Sequence, residues 1–198
     1  MLSPLSANWG WDRGGSIDRH YIDAFVMTAL RGRHGHFLEF GFPTYKRFIE
    51  PGNIGRYEIL DVDPHNAEAT ITGDIQTLPS KFDGVFDVII CTQVLQLVER
   101  PEVAVGRMRE LLKPSGLIIL SVPFISKVHQ PSADRWRFSR KAVEELLAPF
   151  RLKEVTVAGN LFSSICFLLG MGMDDIRRAD LDPTDPQHYT VVLATATK

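Results

Sequence analysis

The chain carries only two cysteines, Cys91 and Cys166, in 198 residues. Each sits inside an apolar run, so buried free thiols are expected rather than a disulfide framework or a metal pair. No apolar stretch reaches the roughly 18–20 residues that a membrane-spanning helix needs. The opening Met1-Leu-Ser-Pro-Leu-Ser lacks the basic start and apolar block of a secretory signal, and a cytoplasmic location is the expectation. Neither sign of charge dominates: 22 basic and 24 acidic side chains leave a formal net charge of −2. That balance makes no electrostatic case for a nucleic-acid or membrane partner. The six histidines are scattered and no Cys/His spacing resembles a zinc site, so no metal is expected. A Gly-x-Gly-x-x-Gly turn is also missing. The first candidate turn reads Gly41-Phe-Pro-Thr-Tyr-Lys46, which argues against a nicotinamide oxidoreductase.

What is present is enough apolar residue, 44% of the chain, to bury one core at this length. One domain over residues 1–198 is expected, with 1–35 as an N-terminal lid and helix segment and 36–198 as the core. Residues 1–16 read as a loop. Ile17, Tyr21, Ile22, Phe25, Val26 and Leu30 fall at helical spacing, so Ser16 or Asp18 is expected to cap a helix over Ile17–Leu30. Strands are expected at 36–40, 57–61, 69–72, 85–91, 117–122, 152–157 and 189–196. Short helices are expected at 44–48 and 94–98, and longer ones at 101–112, 139–147 and across 160–176. Strands alternating with helices imply a largely parallel α/β sheet with right-handed crossovers. The last strand follows an Asp/Pro-rich connection and is able to insert antiparallel.

Three successive strands end on carboxylates: Glu39 before Gly41, Asp61 and Asp63 around Val62, and Asp74 after Gly73. In parallel α/β sheets, ligands bind at the carboxyl ends of strands where the strand order reverses. Acids converging there suit a ligand with several hydroxyl and amino donors, such as a nucleoside.

The order Glu39-Phe-Gly41, Leu60-Asp-Val-Asp63, Gly73-Asp74, Phe86-Asp-Val-Ile-Ile-Cys-Thr92, Leu111-Leu-Lys-Pro-Ser-Gly116 and Ser121-Val-Pro123 resembles the class I S-adenosylmethionine-dependent methyltransferases. More narrowly it resembles their small bacterial type-11-like group. The block His129…Asp134-Arg-Trp-Arg-Phe138 is similar to a signature in part of that group. The lead-in Trp9-Gly-Trp-Asp-Arg-Gly14 resembles methyltransferases found beside sugar-tailoring enzymes. The resemblance implies a Rossmann-like three-layer α/β/α sandwich, its seven-stranded sheet mostly parallel with an antiparallel last strand. It also implies S-adenosylmethionine as cofactor.

Roles follow from the resemblance. Glu39, Gly41 and Phe42 would form the turn beside the methionine part of the cofactor, although Phe42-Pro43 replaces the family's second glycine. Asp61, with Asp63 as the alternative and Val62 between them, would meet the ribose hydroxyls through charge-assisted bonds. Asp74 and the Ile75 N–H would face the adenine. Thr92 and Gln93 would end a strand where cofactor and acceptor meet. Relatives carry Glu-His where this chain has Gln96-Leu97, and Gln96 can simply face solvent. His129 is the candidate general base, with Asp134 orienting it, or both only pack a loop held by Arg137, Trp136 and Phe138. Trp9, Trp11, Arg13 and Tyr21 form either a lid whose Arg13 reaches the cofactor carboxylate, or plain packing or an oligomer contact. The implied function is methyl transfer to a small-molecule acceptor, with O-methylation of a sugar or glycosylated natural product as the finer reading and a homodimer possible. The alternative is a catalytically inactive methyltransferase-like binding or assembly protein, motivated by Phe42-Pro43.

Overall fold

The computed structural model describes residues 3–129 and 131–198. Seven strands hydrogen-bond into one sheet: β1 (Gly35–Phe40), β2 (Ile54–Asp61), β3 (Ile71–Thr72), β4 (Phe86–Thr92), β5 (Leu112–Pro123), β6 (Leu152–Ala158) and β7 (Val191–Thr197). Their order is β3-β2-β1-β4-β5-β7-β6. The chain starts at the sheet centre, builds outward to β3, then crosses back to β4, so the reversal point lies between β1 and β4. Strand β7 inserts between β5 and β6 and runs antiparallel to both, as the connection before it allows.

Burial on both faces explains the apolar runs. Val88 and Ile90 of β4, Leu117 and Ile119 of β5, and Val191 and Leu193 of β7 pack with helices α1 (Ile17–Leu30) and α4 (Leu161–Leu168). The alternate residues Ile89, Cys91, Ile118, Leu120, Val192 and Ala194 pack with α2 (Pro101–Leu111) and α3 (Arg140–Leu146). The two cysteines thus lie on opposite sides of the sheet, Cys91 on the α2 side and Cys166 on the α1 side. Both are free, and burial pushes the Cys91 thiol well above its ordinary range.

Helix α1 has the bounds its periodicity implies. Ile17, Ile22 and Val26 are 0% exposed, and each buried aliphatic side chain contributes about 1.5–3 kcal/mol. Ser16 precedes the helix without a side-chain cap bond, its hydroxyl donating instead to Asp18. Asp74, Ser139 and Asn160 do cap the turns and helices that follow them, Asn160 through a reciprocal capping box with Ser163.

Two expected helices are absent. Between β1 and β2 there are only 3₁₀ turns at Lys46–Phe48 and Pro51–Asn53. Pro43 and Pro51 bracket too few residues to repay helix nucleation, and Tyr45 and Ile49 are buried against the α1 side instead. The segment 94–98 is a series of turns. It is caught between Gln93, held at φ 55°, and Arg100, whose following proline bars it from helical backbone. Among the described residues, no helix is long and apolar enough to cross a membrane.

Candidate active site

The tips of β1, β2, β4 and β5 open into a cleft of about 710 Å³, bordered by the loop after β3, the N-terminal segment and the loop around His129. The β1 turn is shaped by Gly41, which sits at φ 79° with nothing within 4 Å of where a Cβ would point. That conformation favours glycine, and the open space leaves the backbone approachable from the cleft. Phe42 follows, 62% exposed at the cleft edge. The Phe42-Pro43 replacement therefore does not close the turn.

Asp61 lines the cleft and Asp63 does not. One Asp61 oxygen accepts from the Asp63 N–H at 3.0 Å, and the other from Asn66 Nδ2 at 2.6 Å. Asn66 also donates to the Gly41 carbonyl at 2.6 Å. This one amide ties the β1 turn to the β2 acid, a role that nothing in the sequence around Asn66 announced. Asp63 is exposed and accepts from the His65 N–H in a local turn. Val62, between the two acids, is exposed on the cleft wall.

Asp74 and Ile75 line the cleft beyond β3. Asp74 accepts from the Gln76 N–H at 2.8 Å and from the Gln76 side-chain amide, which fixes its carboxylate at the rim. Thr92 and Gln93 also line the cleft, and the Gln93 N–H donates to the Ser121 carbonyl at 2.9 Å.

Glu39 lies elsewhere than expected. The convergence of three strand-tip acids on one pocket is corrected to two: Asp61 and Asp74 share the cleft and Glu39 does not line it. The pleat is the reason. Phe37 belongs to the α1-side core, and Glu39 two residues on shares that face. Glu39 is 2% exposed and accepts from the Tyr57 hydroxyl and the Tyr45 N–H. Burial pushes its carboxyl up to about 7, against the opposing pull of those two donors. Its role in this geometry is to hold the chain just past the Gly41 turn.

Arg13 is likewise outside the cleft. It makes a bidentate pair with Asp175, at 2.7 Å and 2.5 Å, and that guanidinium with the Gly172 N–H holds the Asp175 carboxyl down at about 2. The pair staples the N-terminal segment to the loop after α4. The contact is close: a Cβ on Gly172 would meet the Arg13 carbonyl at 2.1 Å. Of the three arginines that do line the cleft, Arg19, Arg135 and Arg137, Arg19 is the one on α1. It donates to the Tyr45 hydroxyl at 3.1 Å, which in turn donates to Asp23. Asp18 beside it also lines the cleft, its carboxyl raised by burial. Both sit on the first turn of α1, where the sequence predicts Asp18 only as an alternative cap.

His129 and Asp134 line the far side of the cleft. They do not form a ring-to-carboxylate pair. Asp134 accepts from the His129 backbone N–H at 2.6 Å, and both its oxygens are taken by Arg137, which holds its carboxyl below the usual range. The His129 ring instead stands 4.9 Å from the Trp9 ring, and the Lys127 ammonium lies 3.7 Å over Trp9. Lys127 also donates to the Ala7 carbonyl. The N-terminal segment and the loop after β5 are thereby latched together over the cleft, with Trp11 54% exposed on its wall. Tyr21 is buried in the core and donates to the Leu181 carbonyl. Among the described residues, no three His, Cys, Asp or Glu side chains gather as a metal-ligand set.

A family model described as a methyltransferase domain matches residues 20–157. No curated protein matches. Solved structures do. The N-methyltransferase NodS of Bradyrhizobium japonicum WM9, solved with S-adenosyl-L-homocysteine, is 14% identical, with 98% of this chain and 93% of that chain covered and a TM-score of 0.60. An S-adenosylmethionine-dependent methyltransferase of Mesorhizobium loti is also 14% identical, with 96% and 100% covered and a TM-score of 0.63. At these identities the likeness is one of fold, while the family match spans most of the sheet and the strand tips that form the cleft. The chain belongs to the methyltransferase-domain family and shares the fold of these solved methyltransferases.

Proposed function

We propose that the protein methylates a hydroxyl of a small, hydroxyl-rich acceptor, a sugar or a glycosylated natural product. The observation that carries this reading is the division of the cleft. One side has Gly41, Asp61 and Asp74 at strand tips, and the other has Trp9, Trp11 and His129 on latched loops. The exposed Trp11 ring offers an apolar face to the C–H face of a sugar, while Asp18, Gln96 and Glu99 on the same cleft offer acceptors for its hydroxyls.

The residues present fit the cofactor. The space over Gly41 would take its methionine part, Asp61 would accept from the ribose hydroxyls, and Asp74 with Ile75 would edge the adenine. Arg19, rather than Arg13, would meet its carboxylate. Thr92 and Gln93 stand between the two sides. When bound, S-adenosylmethionine supplies an electrophilic methyl group on a sulfonium. Holding the acceptor in line with that methyl accounts for much of the acceleration in such a site. The His129 imidazole is the group that would take the hydroxyl proton, with Asp134 holding its backbone and Trp9 its ring.

Calorimetric titration with S-adenosylhomocysteine, followed by methyl transfer onto methyl α-D-glucopyranoside, tests this. Saturable binding and a methylated glycoside are expected, with His129→Ala lowering kcat about 10²-fold or more, the scale of a general base. Absence of binding by folded protein would reject the cofactor site. Binding without transfer to the glycoside would reject the acceptor class.

A further inference from the structure

Gln96 follows β4 by four residues and lines the cleft, yet it is only 6% exposed. Its side-chain nitrogen donates to the Gln93 carbonyl at 2.9 Å. That carbonyl can only accept, so the amide orientation is settled and the oxygen must face the other way. The oxygen is buried and meets no hydrogen-bond donor among the described residues. Buried polar atoms are nearly always paired, and leaving one unpaired destabilises the fold.

The surroundings hold this acceptor in place. Gln93, whose carbonyl anchors it, sits at φ 55°, a backbone region that residues other than glycine rarely adopt. Such strain gathers at functional sites. The Gln96 backbone carbonyl accepts from the N–H groups of Arg135 and Trp136, at 2.8 Å and 3.2 Å, so the side chain is also tied to the loop that carries His129. Val94, Leu97 and Val98 line the same stretch of the cleft. A fixed, buried acceptor discriminates strongly, because a ligand without a matching donor leaves it unpaired.

We propose that the Gln96 side-chain oxygen is a specificity-determining acceptor that takes a hydrogen bond from one O–H or N–H of the methyl acceptor. The inference rests on the methyl-transfer reading above. An amide oxygen is too weak a base to remove a proton, so Gln96 orients the acceptor and leaves deprotonation to another group.

The test is a chemical double-mutant comparison. Wild-type enzyme and Gln96→Leu are assayed with methyl α-D-glucopyranoside and its four monodeoxy analogues, and S-adenosylhomocysteine affinity is measured in parallel. Among the analogues that keep the methylated hydroxyl, wild type should disfavour one by at least about tenfold in kcat/KM, the loss expected when a buried acceptor goes unpaired. Gln96→Leu should lower the parent glycoside by a similar factor, mainly through KM, and treat parent and analogue within about twofold of each other. Cofactor-product affinity should not change. Gln96→Glu keeps an oxygen in the place of the amide oxygen and re-forms the bond to the Gln93 carbonyl when protonated. It should keep the discrimination, and its activity relative to wild type should rise as pH falls.

Full discrimination in Gln96→Leu would overturn the proposal. So would an equal loss of cofactor-product affinity, which marks a structural role, or failure of the cofactor-binding wild type to methylate any of the glycosides. Should Gln96→Leu not fold, loss of discrimination in Gln96→Glu would overturn it alone. Failure of wild type to bind S-adenosylhomocysteine would instead strike the underlying methyl-transfer reading.

Discussion

The two halves of the cleft are built in different ways. The half formed by Gly41, Asp61 and Asp74 rests on strand tips, and its parts are tied by short-range bonds: Asn66 to Gly41 and Asp61, Gln76 to Asp74. The half formed by Trp9, Trp11 and His129 rests on two loops more than a hundred residues apart in sequence. It is held by a tryptophan between a lysine and a histidine, by a lysine on the Ala7 carbonyl, and by the Arg13–Asp175 staple. Local opening draws on elements with few buried contacts. The strand-tip half is therefore expected to stay rigid, and the latched half to admit and release ligand.

Four experiments would break or sharpen that contrast. The largest effect is expected from Glu39, beneath the strand-tip half. Its folded pKa of about 7 lies above the ordinary carboxylate value of 4.5. The folded state thus binds more protons than the unfolded state between these values. Glu39 is compatible with full stability below pH 4.5, and stability falls as pH rises through 7, by up to about 3 kcal/mol. Denaturant melts of wild type and Glu39→Gln from pH 5 to pH 8 should show this loss only in wild type. Parallel curves would mean that the carboxyl ionises without penalty.

Next comes Asp61→Ala, expected to weaken S-adenosylhomocysteine binding by about 1.5–3 kcal/mol, the scale of a hydrogen bond to a charged group. Unchanged affinity by calorimetry would remove Asp61 from the cofactor site. Arg19→Ala should follow at about 1.5 kcal/mol, roughly tenfold. The same variant should bind 5′-methylthioadenosine, which lacks the amino-acid part, as wild type does. Equal losses for both ligands would show that Arg19 acts by supporting Tyr45 and the turn.

The smallest effect is expected from Lys127→Ala, which removes a partly exposed cation–π contact of about 0.5–1 kcal/mol. It should raise KM for the acceptor probe by less than about fivefold and leave S-adenosylhomocysteine affinity unmoved. A drop in that affinity would make the latch part of the cofactor half and blur the distinction between the two.

Much of the fold was legible in the sequence. The period of α1, the two-faced apolar run of β4 and the glycine and acids at the strand ends are local patterns, and local patterns survive folding when the core supports them. The short helices expected at 44–48 and 94–98 were not legible. There, turn residues and flanking prolines outweighed a few apolar positions. The site was read unevenly for a related reason. Asp61 and Asp74 end their strands, so their place at the cleft follows from strand direction. Glu39 sits one pleat short of the tip, and its side chain turned under the sheet.

The sequence by itself determined the strand order's raw material: which segments are buried on both faces, where the chain turns on Gly41, and which acids close the strands. Each depends on residues adjacent along the chain, within reach of propensity and periodicity. Only the tertiary structure decided that Arg19 rather than Arg13 faces the cleft, that Asp134 holds the His129 backbone rather than its ring, and that Gln96 is buried with its oxygen unpaired. Those outcomes depend on Asp175, Arg137 and the loop carrying Arg135 and Trp136. Partners far apart in sequence compete for a charge or a hydrogen bond, and only packing brings the competitors into contact.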